Sequence, residues 1–146
     1  MASSTKFLSE NDEQEIVAAI TLAEKQTSGE IRVHIEEASS KLPYERAKEV
    51  FEMLGMHQTE LKNGVLFYVC IRNKNFALLG DKGIHEKVGT TFWDTTKNVI
   101  LENFKMGRFK EGLLAGITSA GEQLRSYFPY DEVNDSNELS NEISKS

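Results

Sequence analysis

The chain has 146 residues, 39% hydrophobic and 27% charged, a balance that suits one soluble globular domain and excludes a disordered or low-complexity chain. Its net charge of −6 comes with no basic run and no alternation of arginine with aromatics, which argues against a nucleic-acid partner. No apolar run approaches the roughly 18 residues needed to span a bilayer, and the start "MASSTKFLSENDEQE" lacks the basic front and apolar centre of a leader peptide, so a cytoplasmic setting with no membrane partner is expected.

In chain order, "SENDEQEIVAAITLAEKQTSG" predicts a helix with acids at its front, where they favour the positive dipole end, and with Ile16, Ile20 and Ala23 on one face. "EIRVHIEE" alternates, with Ile31, Val33 and Ile35 on one side and Arg32, His34 and Glu36 on the other, the pattern of a strand with one better-buried face. Pro43 suits the first turn of a second helix that turns Ala47, Val50, Phe51 and Leu54 inward and stops at Gly55. "VLFYVCI" is a continuous apolar run, as in a strand covered on both faces. It carries the lone Cys70, which burial would make a poor nucleophile. Asn73-Lys74-Asn75 turns the chain into a third strand, "FALLG". A short helical segment near Ile84–Val88 and helices over about Phe92–Lys105 and Phe109–Tyr127 complete a domain spanning 1–130. The segment 131–146, acidic and rich in serine and asparagine, reads as a mobile tail.

A strand–helix–strand unit favours parallel pairing, and the tight turn before the third strand makes that pair antiparallel. The expected fold is therefore α/β, Rossmann-like, with a small mixed sheet and helices on both faces. In that topology the starts of the first two strands and the end of the third share one edge. Ser28-Gly29-Glu30, Asn63-Gly64 and Gly80-Asp81-Lys82-Gly83 then converge, and Asp94 at the head of the next helix can reach them. Glu30, Asn63, Asp81 and Asp94, with the Ser28 hydroxyl nearby, would offer oxygen ligands to a hard cation, calcium or magnesium. Each residue also has a plainer reading: Asp81 in a turn that glycines permit, Asp94 as a helix cap, Asn63-Gly64 as a turn.

Other motifs are missing. "HEKVG" lacks the second histidine of a zinc-protease helix, and His34, His57 and His85 have no ligand spacing and are expected at the surface. Neither a phosphate-cradling P-loop nor a nucleophile elbow is present. Trp93 and Phe92 could wall a pocket but are expected to pack in the core or at its boundary.

From about Ser9 to Tyr130 the chain resembles the TPM domain family. The resemblance rests on "TSGEIRVHIE", "NGVLFYV", "LLGDKGI", "FWD" and "FKEGLLAGI" followed by "FP", in that order. It implies a three-layer α/β/α sandwich, divalent-cation binding and, for some members, phosphatase activity, with ligands falling chiefly on Asp81 and Asp94. Two functional readings follow. In a metal-dependent hydrolase of phosphate monoesters, Asp81 and Asp94 hold the ion while Asp81 and Lys82 serve the chemistry on a phosphorylated small molecule. In a non-catalytic module, the ion orders the loops for a protein partner.

Overall fold

The computed structural model describes residues 8–88, 91–130 and 139–145. Its elements are α1 (Glu10–Glu24), β1 (Glu30–Glu36), α2 (Pro43–Met53), a 3₁₀ turn (Met56–Gln58), β2 (Gly64–Cys70), β3 (Asn75–Gly80), α3 (Lys82–Val88), α4 (Asp94–Lys105), α5 (Phe109–Tyr127) and a short β4 (Ser144–Lys145). α1 opens on a reciprocal cap: the Ser9 hydroxyl accepts the Asp12 N–H, and the Asp12 carboxylate accepts the Ser9 N–H.

The sheet order is β3-β2-β1-β4. β1 pairs parallel with β2, and β2 antiparallel with β3, so the sheet is mixed as expected. Alternate residues feed two cores. Ile31, Val33, Ile35, Val65, Phe67, Val69 and Leu78 face α1, α4 and α5. Leu66, Tyr68, Cys70, Ala77 and Leu79 face Ala47, Val50 and Phe51 of α2. Helix layers thus cover both faces, the three-layer α/β/α arrangement. Close approach of α4 and α5 depends on Gly116, where a Cβ would lie 2.7 Å from the Ile100 side chain.

Two expectations change. The polar side of β1 is not solvated: His34 and Glu36 are buried, and Arg32 is only partly exposed. The cause is tertiary, because α2 and the C-terminal segment lie over that side. The segment 131–146, expected to be mobile, docks wherever it is described. Leu139 is buried in the α2-side core, Ile143 packs against the other core, and β4 adds to β1 through the pairs His34↔Ser144 and Ile35↔Lys145. An open strand edge and two apolar side chains four residues apart outweigh the polar average of the segment. Residues 131–138, with Asp131, Glu132 and Asp135, lie outside the described residues.

Candidate functional site at the loop edge of the sheet

The backbone converges as the strand order requires. Glu30 lies opposite Gly64 in the β1–β2 register, and Val65 opposite Gly80 in the β2–β3 register. Hydrogen bonds stitch the three loops: Glu30 N–H to the Asn63 carbonyl at 3.2 Å and Asp81 N–H to the Gly64 carbonyl at 2.9 Å. The Asn63 side-chain amide donates to the Ser28 carbonyl at 3.1 Å.

The side chains divide into committed and uncommitted groups. Asn63 is 1% exposed, and its bond to Ser28 makes it a clamp between loops. Glu30 is 4% exposed and its Oε1 accepts the Leu139 N–H at 2.7 Å, so this carboxylate anchors the C-terminal segment. Asp81 differs. Its Oδ1 accepts the Lys82 N–H at 2.7 Å, while Oδ2 is buried and has no hydrogen-bond partner. Its carbonyl accepts the N–H groups of Ile84 and His85 and so starts α3. Gly83 allows that start to press against the preceding loop, since a Cβ there would overlap the Leu61 and Lys62 carbonyl oxygens.

Asp94 is exposed in the first turn of α4, next to buried Trp93. The indole packs on β3: its Nε1 lies 3.4 Å from where a Cβ on Gly80 would stand, and this N–H also lacks a partner. Trp93, expected in the core or at its boundary, is thus buried against the end of β3, while Asp94, the next residue, stays exposed. Lys82 is exposed beside Asp81. Among the described residues no three or more His, Cys, Asp or Glu side chains gather in a metal-holding group. The available donors fit a hard cation in kind, as carboxylate oxygens, with Asp81 Oδ2 the one that is buried and lacks a partner.

Sequence reasoning missed two carboxylates. Glu24, in the last turn of α1, accepts the Ile31 N–H at 2.8 Å. Burial pushes its pKa up to about 7 against the pull of that bond, and the Glu30 charge adds to the rise. The signal was present, since Ile16, Ile20 and Glu24 occupy successive i+4 positions and place a carboxyl where the pattern calls for an apolar side chain. At the opposite end of the sheet, Glu36 accepts from Arg46 Nη2 at 2.8 Å and from the Tyr68 hydroxyl at 2.5 Å. Burial pushes Glu36 up, but Arg46 and Tyr68 outweigh it and hold the carboxyl below its usual range.

His34, expected at the surface, is 1% exposed, stacks on Tyr68 and meets the Ser144 hydroxyl at 2.9 Å. Burial lowers its pKa to about 4, against the Glu36 charge, with Arg46 and Arg32 adding to the fall. His57 and His85 are exposed as expected. Cys70 is buried and free.

No helix among the described residues is long and apolar enough to cross a membrane. Comparison with curated proteins returns no match. Among solved structures, the chain is similar to the BA42 protein of the psychrophilic bacterium Bizionia argentinensis, with 51% identity, 96% of each chain covered and a TM-score of 0.91. It shares its fold with an N-terminal domain from P. gingivalis (14% identity, 86% of this chain and 83% of that one, TM-score 0.69). The N-terminal domain of the cg2496 protein from Corynebacterium glutamicum has the same fold (14% identity, 93% and 79%, TM-score 0.64). The family model for the TPM domain matches residues 1–123. With five motifs in order along a chain that forms the expected mixed sheet, and a family match over most of its length, the chain belongs to the TPM domain family.

Proposed function

We propose that this domain binds a divalent cation, calcium or magnesium, at the loop edge of the sheet, with Asp81 as principal ligand and Asp94 as the second. The observation that carries the reading is the buried, unpartnered Oδ2 of Asp81 at the meeting point of three loops. A carboxylate oxygen removed from water without a partner is costly, and a cation is the partner that relieves that cost most. Glu30, Asn63 and Ser28 act behind these two: Asn63 and Ser28 hold the loops in register, and Glu30 ties the C-terminal segment beside them.

Hydrolysis of a phosphate monoester extends the same reading. A bound ion would neutralise phosphate charge and acidify a coordinated water. The exposed Lys82 ammonium, next in sequence to Asp81, would bind and orient the phosphoryl group. A non-catalytic module that docks a protein partner is favoured by one specific observation: Glu24 and Glu30, the other carboxyls at this edge, are each tied to a backbone N–H of the framework. A cytoplasmic setting is part of the proposal, and the free thiol of Cys70 suits a reducing compartment.

Titrating calcium or magnesium into the full chain tests the site. The amide signals of Gly29, Gly64, Gly80 to Gly83 and Asp94 should move together. At a hundred times the dissociation constant the fold should gain about 2.7 kcal/mol. Asp81→Asn should abolish both effects. Shifts confined to residues 131–146, with unchanged stability, would refute the site. Turnover of p-nitrophenyl phosphate that depends on metal and is lost in Asp81→Asn separates the hydrolase from the docking module.

A further inference from the structure

Far from the loop edge, where the β2–β3 hairpin meets the turn between α4 and α5, the surface opens into a groove of about 720 Å³. This lies within the range of small-molecule sites. Its walls are aromatic. Phe76 and Phe104 pack edge to face at 5.5 Å, and Phe104 and Phe109 at 5.1 Å, with the half-exposed Leu101 at the rim. Lys74 and Lys105 border the same groove, both exposed and neither in an ion pair among the described residues, in a chain whose net charge is −6. Of the other basic side chains nearby, Arg72 pairs with Glu37 and Lys110 with Asp12, Glu15 and Glu111, while Arg108, between the lining residues Gly107 and Phe109, is exposed.

Two further features point to a ligand. Asn75, in the lining, keeps a buried Oδ1 with no hydrogen-bond partner, an acceptor waiting for a donor. Lys74 sits at φ 54°, a left-handed conformation that glycine or asparagine adopts at lower cost, so a lysine is held at the rim against its backbone preference. The groove does not continue along β3, because Ala77, Leu78 and Leu79 are buried, so it is shaped for a compact occupant and not for an added strand.

We infer that this groove is a second binding site, for a small organic anion with a flat apolar body: an aryl carboxylate that also carries a hydroxyl or amide N–H. The aromatic rings take the body, Lys74 and Lys105 the carboxylate, and the Asn75 Oδ1 the donor. The site is independent of the cation proposal and lies at the other end of β3.

The probe is 3-hydroxy-2-naphthoate titrated into the full chain, followed by amide shifts. Saturable movement of Asn75, Phe76 and the 101–109 signals is expected, with a dissociation constant of about 0.1–1 mM for a ligand of this size. Replacing the probe with 2-naphthol, which lacks the carboxylate, should weaken binding about tenfold. The Lys74→Asn/Lys105→Gln double variant should weaken it by a similar factor with its melting temperature unchanged or slightly raised, since neither lysine holds an ion pair among the described residues and asparagine adopts the left-handed turn at lower cost. A Leu101→Glu variant, which places a carboxylate on the rim, should weaken binding further. The proposal is overturned if no saturation occurs at these residues, or if 2-naphthol or the double variant binds as well as the parent pair.

Discussion

Glu36 and Asp81 both carry buried carboxylate oxygen at an end of the same sheet, yet their surroundings differ in kind. Glu36, where β1 and β2 finish, meets the Arg46 guanidinium and the Tyr68 hydroxyl. Asp81, at the end where β3 finishes, has one oxygen bonded to the next backbone N–H and the other bonded to nothing. A fully satisfied buried charge belongs to the framework, because its partners are already fixed and loss of any one strands the rest. An unsatisfied one is a standing cost that the fold tolerates where a ligand supplies the missing partner. Glu30 is intermediate: it lies at the loop end like Asp81, but the C-terminal segment satisfies it.

The sharpest way to break the comparison is Arg46→Met. It leaves Glu36 buried beside Tyr68 without its cation and should cost about 3 kcal/mol in urea denaturation at neutral pH. Adding Glu36→Gln should recover most of that loss. If Arg46→Met were neutral, the Glu36 network would not be structural. The depressed pKa of Glu36 works in the same direction: its contribution is present above the unfolded carboxyl value of 4.5 and fades as pH falls through the lower folded value.

Ending the chain after Tyr130 should come next in size. It uncovers the α2-side core where Leu139 sits and takes the N–H from Glu30, for a loss of about 2 kcal/mol read from the same denaturation curves. Unchanged stability would mean that the docked segment contributes nothing net to the fold.

Glu24 sharpens the contrast through pH. A carboxyl with a folded pKa near 7 contributes stability that is intact below its unfolded value of 4.5 and is lost as pH rises through 7. Relative to Glu24→Gln, which still accepts the Ile31 N–H but carries no charge, the parent chain should lose about 2 kcal/mol between roughly pH 5 and pH 8. Parallel stability curves for the two chains would contradict that shift. The smallest effect belongs to the other side of the comparison. Without metal, the Asp81→Asn chain should be as stable as the parent or gain up to about 1 kcal/mol, the reverse of what disrupting the Glu36 network does.

Much of the architecture could be read from periodicity. The i, i+4 spacing of Ile16 and Ile20, the alternation of Ile31, Val33 and Ile35, and the unbroken apolar run of β2 each report a local period that chain geometry imposes. The short turn at Lys74 dictated an antiparallel partner for β2, and from that alone three loops had to meet at one edge. What could not be read was the partner of each polar group. Glu30 is satisfied by a residue 109 positions away, His34 by one 110 away and Glu36 by Tyr68, 32 away, and no local pattern encodes such pairings. The same holds for residues 139–145: their composition is that of a solvated tail, and only an open edge on β1 with a core beneath it makes Leu139 and Ile143 anchors. Local spacing determined which strands and helices form and where the loops meet. Tertiary contact alone decided that Glu30, Asn63 and Glu36 are bound into the framework while Asp81 keeps a free oxygen, because a buried charge takes its partner from whatever the fold brings within about 3 Å, however distant in the chain.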